Sequence, residues 1–381
     1  MESSQHDWGH RAARTSTTHR IQKVSFLLRD HKQYFVKYYE PRVVSLGPIH
    51  HGKEKYQLAE TFKRKLAKEF VKSSGKTIEE LCNEIEKNIK ELRECFEEEV
   101  TKNYNDVDLA WILFVDGCTI LQYIDLAINN KFKDLDIIND TVVFCEEDLF
   151  LLENQVPYDL LKLLMNLSNM GNELRNSVEE TILRHNMVLM GKSLDQNGKR
   201  KPTHLLDLLR TSLLGPEKQR DKRQSEIRLG SDWQFYRNVQ ELKAAGIHVK
   251  RGKNNSLRGI YFSRKPFFYQ GFLSLPLIVL DDSTGPKLLN LIAYEMCPDF
   301  GNDHGIASYV YFLGSLIDHA NNVKELRKAH VLLNLHGNDE KAAQLFNELI
   351  ATCTDMQVPA PGGYMLVEQK IGEYFDNKIM V

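Results

Sequence analysis

A chain of 381 residues that is 42% hydrophobic and 27% charged can bury a sizeable core beneath a solvated surface, which excludes a disordered polyelectrolyte. Lysine and arginine total 50 against 52 acids, a formal net charge of -2, so the basic footprint of a nucleic-acid platform is missing. Six scattered cysteines (Cys82, Cys95, Cys118, Cys145, Cys297 and Cys353) form no CxxC pair, which argues against a disulfide framework and for reduced intracellular thiols.

In chain order, residues 1–20 are polar and contain no apolar h-region, so they predict a disordered arm rather than a secretory signal. Between 56 and 71, Leu58, Phe62, Leu66 and Phe70 recur every fourth position with lysines between them, the pattern of an amphipathic helix. A second helix is predicted from Ile78 to Phe96, opened by a capping box of Thr77 and Glu80. The run 107–128 is apolar nearly all round. Its aspartates Asp108, Asp116 and Asp125 would each cost about 2.5–3.5 kcal/mol at mid-membrane, so a buried core helix is expected.

Further helices are predicted over 148–168, 173–190, 203–214 and 233–245. The charged stretch 215–231 has no apolar stripe and reads as a flexible surface loop, the joint if the chain forms two lobes. Gly246 then ends a helix, and 247–250, 258–262 and 271–280 are short β-rich runs, with Pro276 demoting part of the last one to an edge. Helices resume over 284–297, 306–320, 323–335, 339–352 and 364–375. The expected fold is mainly α (α+β): a multi-helix globular domain with a small inserted antiparallel sheet at about 246–280.

No glycine-rich phosphate loop, GxSxG elbow or HExxH pair is present, so no cofactor and no metal are implied. His50 and His51 are adjacent in a turn between Pro48 and Gly52; a metal would need distant partners, and ordinary turn packing is the simpler reading. Asp116 interrupts an apolar helix and is followed by Gly117. Buried there, it must find donors or protonate, either as a packing anchor or as a shifted acid or base at a pocket. Cys118 beside it is an inert thiol or, with a base, a nucleophile. Glu153, Asn154 and Gln155 break an apolar run before Pro157, where they can cap a helix junction; alternatively Glu153 faces Asp116 and the two carboxylates divide acid and base roles. Glu295, on another apolar helix, carries the same two readings.

Several long motifs in order resemble the plant family called domain of unknown function 247. They are Tyr39-Glu40-Pro41-Arg42-Val43-Val44-Ser45-Leu46-Gly47-Pro48-Ile49-His50-His51-Gly52, Val115-Asp116-Gly117-Cys118, Leu151-Leu152-Glu153-Asn154-Gln155-Val156-Pro157 and His204-Leu205-Leu206-Asp207. Glu241 to Ile247, Asn290 to Glu295 and Ser308-Tyr309-Val310 continue the likeness, which covers about residues 21–352. The resemblance implies undefined biochemical activity, with some members associated with reproductive self-recognition. It also implies a C-terminal apolar anchor helix after a Tyr-Phe-x-Asn-Pro-like element. Here Tyr374-Phe375-Asp376-Asn377 is followed by Lys378 and the chain stops at Val381, so residues 353–381 are expected to form a tail or helix without that anchor.

Two functional expectations follow. The first is a cytoplasmic recognition or signalling protein with a protein partner or small-molecule ligand, no nucleic acid, no spanning segment, and at most peripheral contact with a membrane. The second is a cofactor-independent enzyme of specialised metabolism, an acid–base isomerase, cyclase or hydrolase. Its catalytic residues would be Asp116, Glu153, His50 and His51, with Asn154, Gln155, Glu295 and Cys118 as binding candidates. An open pocket of at least about 300 Å³ favours the second; polar groups sealed in and saturated by backbone favour the first.

Overall fold

The computed structural model describes residues 19–30, 32–132, 146–188, 201–216, 238–265, 270–300, 303–335, 337–355 and 364–379. Most of the expected arm and charged loop, together with Cys145, lies outside them.

Short helices α1 (Phe26–Arg29) and α2 (Lys32–Tyr38) lead into an irregular stretch, and then α3 (Gln57–Ser74) begins. The expected second helix divides at Asn88 into α4 (Ile78–Lys87) and α5 (Ile89–Glu94). Asn88 leaves helical geometry and turns its side-chain amide back onto the Glu84 carbonyl, the local competition that makes asparagine a helix breaker. The capping box of Thr77 and Glu80 is present. After α6 (Glu98–Thr101), α7 (Asp106–Ile128) runs through the middle. It is long and apolar enough to cross a membrane, and 83% of its apolar window is buried inside this fold. It packs against α3, α4, α8 (Tyr158–Leu167) and α9 (Gly171–His185). A Cβ on Gly117 would meet Leu164 at 2.7 Å and Leu160 at 3.1 Å, so glycine lets α7 and α8 approach.

The second half carries α10 (Leu205–Leu214), α11 (Val239–Ala244), α12 (Thr284–Glu295), α13 (Gly305–Gly314), α14 (Ala320–Lys328), α15 (Asp339–Asp355) and α16 (Met365–Ile379). The sheet differs from expectation: it is mixed, not antiparallel. Strands β1 (Ile247–Arg251), β2 (Tyr261–Lys265) and β3 (Gln270–Leu275) run in the order β1-β3-β2, with β1 parallel and β2 antiparallel to β3. The third run takes the centre because Leu273, Ser274 and Leu275 are fully buried. Pro276, which cannot donate to a ladder, divides the expected single run, ending β3 at Leu275. The chain resumes as β4 (Ile278–Leu280), which leaves to pair in parallel with β5 (Leu332–Asn334). That last strand falls where a helix was expected. After α14 the chain turns through His330 at φ 55°, and the following apolar run is too short for periodicity to distinguish strand from helix. The C-terminal α16 lies on the first sheet, with Ile371 buried and the Tyr374 ring edge-on to Phe262 at 5.9 Å.

Candidate functional site

The irregular stretch before α3 is the part of the interior that most needs polar partners, because a non-repetitive backbone cannot satisfy its own N–H and C=O groups. Those partners are the motif side chains Asp116 and Asn154 together with Asp148 and Lys63. Asp148 accepts from the backbone N–H groups of Arg42 (2.8 Å), Val43 (2.8 Å) and Val44 (2.9 Å). Asn154 Oδ1 accepts from Leu46 N–H at 2.7 Å, while its Nδ2 donates to the carbonyls of Val44 and Asp148 at 3.0 and 2.9 Å. Asp116 Oδ2 accepts from Gly47 N–H at 2.7 Å, and Lys63 Nζ donates to the Ser45 carbonyl at 2.9 Å. Gly47 sits at φ +70°, and a Cβ there would lie 2.4 Å from the Gln155 carbonyl oxygen. The two motif segments meet backbone to backbone at that point, which only glycine permits.

Asp116 is fully buried, and its Oδ1 forms an ion pair with Lys63 Nζ at 2.6 Å. Lys63, 1% exposed, also donates to Glu60 at 2.7 Å. Burial opposes the Lys63 charge, yet Asp116 and Glu60 hold its pKa above the ordinary lysine value. For Asp116, burial pushes the carboxyl upward while Lys63 and the Gly47 N–H pull it back. The Thr119 hydroxyl donates to the Lys63 carbonyl at 3.0 Å, pinning α7 to α3 one turn further on.

Glu153 is the second buried carboxylate. Its Oε1 accepts from Val24 N–H and from Arg29, each at 2.8 Å, and its Oε2 lies 3.0 Å from His50 Nε2. Lys53 Nζ contacts His50 Nδ1 at 2.7 Å. An ammonium can only donate, so Nδ1 is the bare nitrogen and the Nε2 proton faces Glu153. Burial would raise the Glu153 carboxyl, but His50 and Arg29 hold it below the usual carboxylate range. Gln155 donates to the Leu149 and Leu151 carbonyls at 2.8 and 2.7 Å and accepts from Leu206 N–H at 3.2 Å.

Glu295 works elsewhere. It accepts from the Ile306 and Ala307 N–H groups at the start of α13 and pairs with Arg210 at 2.8 Å. It thus supplies from another helix the cap that α13 lacks. Cys118 is fully buried, with its thiol pKa raised by burial, the opposite of an activated nucleophile. His51 has no contact with Glu153; its ring stands edge-on to Tyr104 at 6.3 Å.

Segment 44–50 therefore gathers Asp116, Asn154, Glu153 and His50, while Asp116 and Glu153 share no hydrogen-bonding or ion-pairing partner. Lys63 and Asp148 escaped the sequence reading, and Asn290 entered it only as the first residue of a family motif. The buried stripe of α3 is Ala59, Lys63, Leu66, Ala67 and Phe70, whereas Leu58, expected on that stripe, is 91% exposed. A cleft of about 340 Å³ opens over the Lys63–Asp116 pair, walled by Trp111, Ile112, Val115, His51, Glu60 and Arg64. Among the described residues no three histidine, cysteine or carboxylate side chains cluster as metal ligands would.

A mainly helical domain whose signature side chains lock an irregular segment against its central helix is the class of protein that fold and site define. Over residues 21–381 the chain matches the family described as plant protein of unknown function, DUF247, and it belongs to that family. It is 25% identical over 342 residues to the UPF0481 protein At3g47200 of Arabidopsis thaliana, spanning 82% of this chain and 69% of that one. A putative UPF0481 protein of the same plant, At3g02645, is 29% identical over 109 residues, 29% of this chain and 20% of the relative. No solved structure matches the chain.

Proposed function

We propose that this chain is a recognition or signalling protein that acts by binding a partner. The observation that carries the reading is how the polar motif side chains are used. Asp116, Glu153, Asn154 and Gln155 are buried, and each bonds backbone groups of distant segments. Side chains spent in this way build a rigid scaffold; they are not held in reserve for substrate. Asp116→Asn tests the reading: it should lower the melting temperature, and the wild-type chain should leave a pool of plant metabolites unconsumed. Turnover by wild type that disappears in a normally folded Asp116→Asn protein would overturn it.

The cleft favours one alternative, a cofactor-independent enzyme doing acid–base chemistry, because its volume of about 340 Å³ lies within the range of small-molecule sites. Against it, Asp116 and Lys63 at the cleft floor are 0% and 1% exposed and already paired. The same turnover experiment separates the two readings.

A further inference from the structure

We propose that the cleft between α3 and α7 is a binding site for a small aromatic carboxylate. The inference rests on which of its charges are already used. Lys63 is committed to Asp116, Glu60 and the Ser45 carbonyl, and Asp116 to Lys63 and Gly47. Arg64 is the exception. It is exposed and has no hydrogen-bond or ion-pair partner among the described residues, so the wall presents one unspent guanidinium.

A planar fork of donors matches a carboxylate in two-point geometry. From α7, the other helix of the cleft, Trp111 adds a side chain that is 52% exposed. An exposed indole beside Ile112 and Val115 offers a flat apolar face on which a ring can stack. One exposed cation, one aromatic platform and a volume of about 340 Å³ fit a ligand with a single anionic group and one or two rings, the Glu60 carboxylate of the same wall being paired with Lys63.

The full-length chain should be titrated with phenylacetate and with its neutral counterpart phenylacetamide, by ligand-observed NMR. The acid should bind saturably with a Kd of millimolar order or tighter, and the amide at least about tenfold more weakly, the discrimination expected of one charge-assisted hydrogen-bonding group. Arg64→Gln, a surface change that spares the fold, should weaken the acid by about tenfold and leave the amide unchanged. Trp111→Leu should weaken both. Equal binding of acid and amide, indifference to Arg64→Gln, or no saturation by about 20 mM phenylacetate would each overturn the proposal. None of these outcomes depends on whether the chain has a protein partner.

Discussion

Lys63 Nζ lies 2.6 Å from Asp116 Oδ1 and, from the same ammonium, donates to the Ser45 carbonyl at 2.9 Å. One buried cation thus joins α3, α7 and the irregular segment, while Asp116 returns a bond to that segment through Gly47 N–H. Each charge exists in the interior because the other does, so the pair should fail when either half is removed.

Lys63→Met is accordingly expected to cost about 3–5 kcal/mol, because it strands a buried carboxylate without its cation. Adding Asp116→Asn should recover part of the loss, since the amide still accepts from Gly47 and leaves no fully buried charge unpaired. Urea unfolding of both single variants and the double should give a coupling above about 1 kcal/mol. Additive effects would mean that the two side chains do not support one another.

Two glycines should respond differently to alanine. At Gly47 the backbone is left-handed and the new methyl would strike the Gln155 carbonyl, a rigid neighbour, so Gly47→Ala should cost several kcal/mol or prevent soluble expression. At Gly117 the obstacles are the flexible ends of Leu160 and Leu164, and alanine gains about 1 kcal/mol of helix propensity. A net loss of no more than about 2 kcal/mol is expected there. Paired denaturation curves decide it; equal effects would contradict the geometry.

Acid sensitivity should begin above the range where carboxylates titrate. The His185 pKa is lowered to about 3 by burial and by the nearby Lys287 ammonium, and its ring packs on Phe150 at 4.6 Å. An unfolded chain protonates this imidazole near 6.5. Between those values the unfolded state holds the extra proton, so stability is full above about 6.5 and falls as pH drops towards 3, by at most about 1.4 kcal/mol per unit. Glu153 and Asp303, also held below their ordinary values, add their losses only at more acid pH. His185→Phe should therefore flatten the urea midpoint between about pH 6.5 and 4.5; a limb that keeps its slope would assign the effect to other groups.

How much of this was legible in the sequence follows from the range of the forces involved. Helical periodicity and cap chemistry are local, and they placed α7, α10, α12 and the Thr77–Glu80 box within a few residues. Pairing is not local. Nothing near Pro276 says that the chain on either side joins two different sheets, and nothing near Leu332 says that β4 is waiting for it. The solvent exclusion of Asp116, Glu153 and Glu295 could be read from their apolar neighbours. Their partners could not, because Gly47, His50 and Arg210 lie between 69 and 103 residues away along the chain. Lys63 was concealed for a further reason: a lysine on an amphipathic helix is assigned to the wet face by default, and a rotation of one position moved the dry stripe onto it.

Asn290 gives the most direct test of how the two halves of the chain are held. From α12 its Oδ1 accepts from Leu152 N–H at 2.9 Å, and its Nδ2 donates to the Tyr38 carbonyl at 2.8 Å and to the Pro286 carbonyl at 2.9 Å. It is fully buried, so no water can replace it without a new cavity. Asn290→Ala removes both ends of this link, leaving the Leu152 N–H and the Tyr38 carbonyl without the partner they had, for an expected loss of about 2–4 kcal/mol. Asn290→Asp is the informative comparison. The carboxylate keeps an acceptor for Leu152 but loses the donors, and it faces two carbonyl oxygens, so it should be no better than alanine near pH 7 and should recover as acid protonates it. Hydrogen exchange at Leu152 would report the break at its source, rising in the alanine variant before global unfolding. Protection that stays at the wild-type level would show that the Leu152 N–H is held by something other than Asn290.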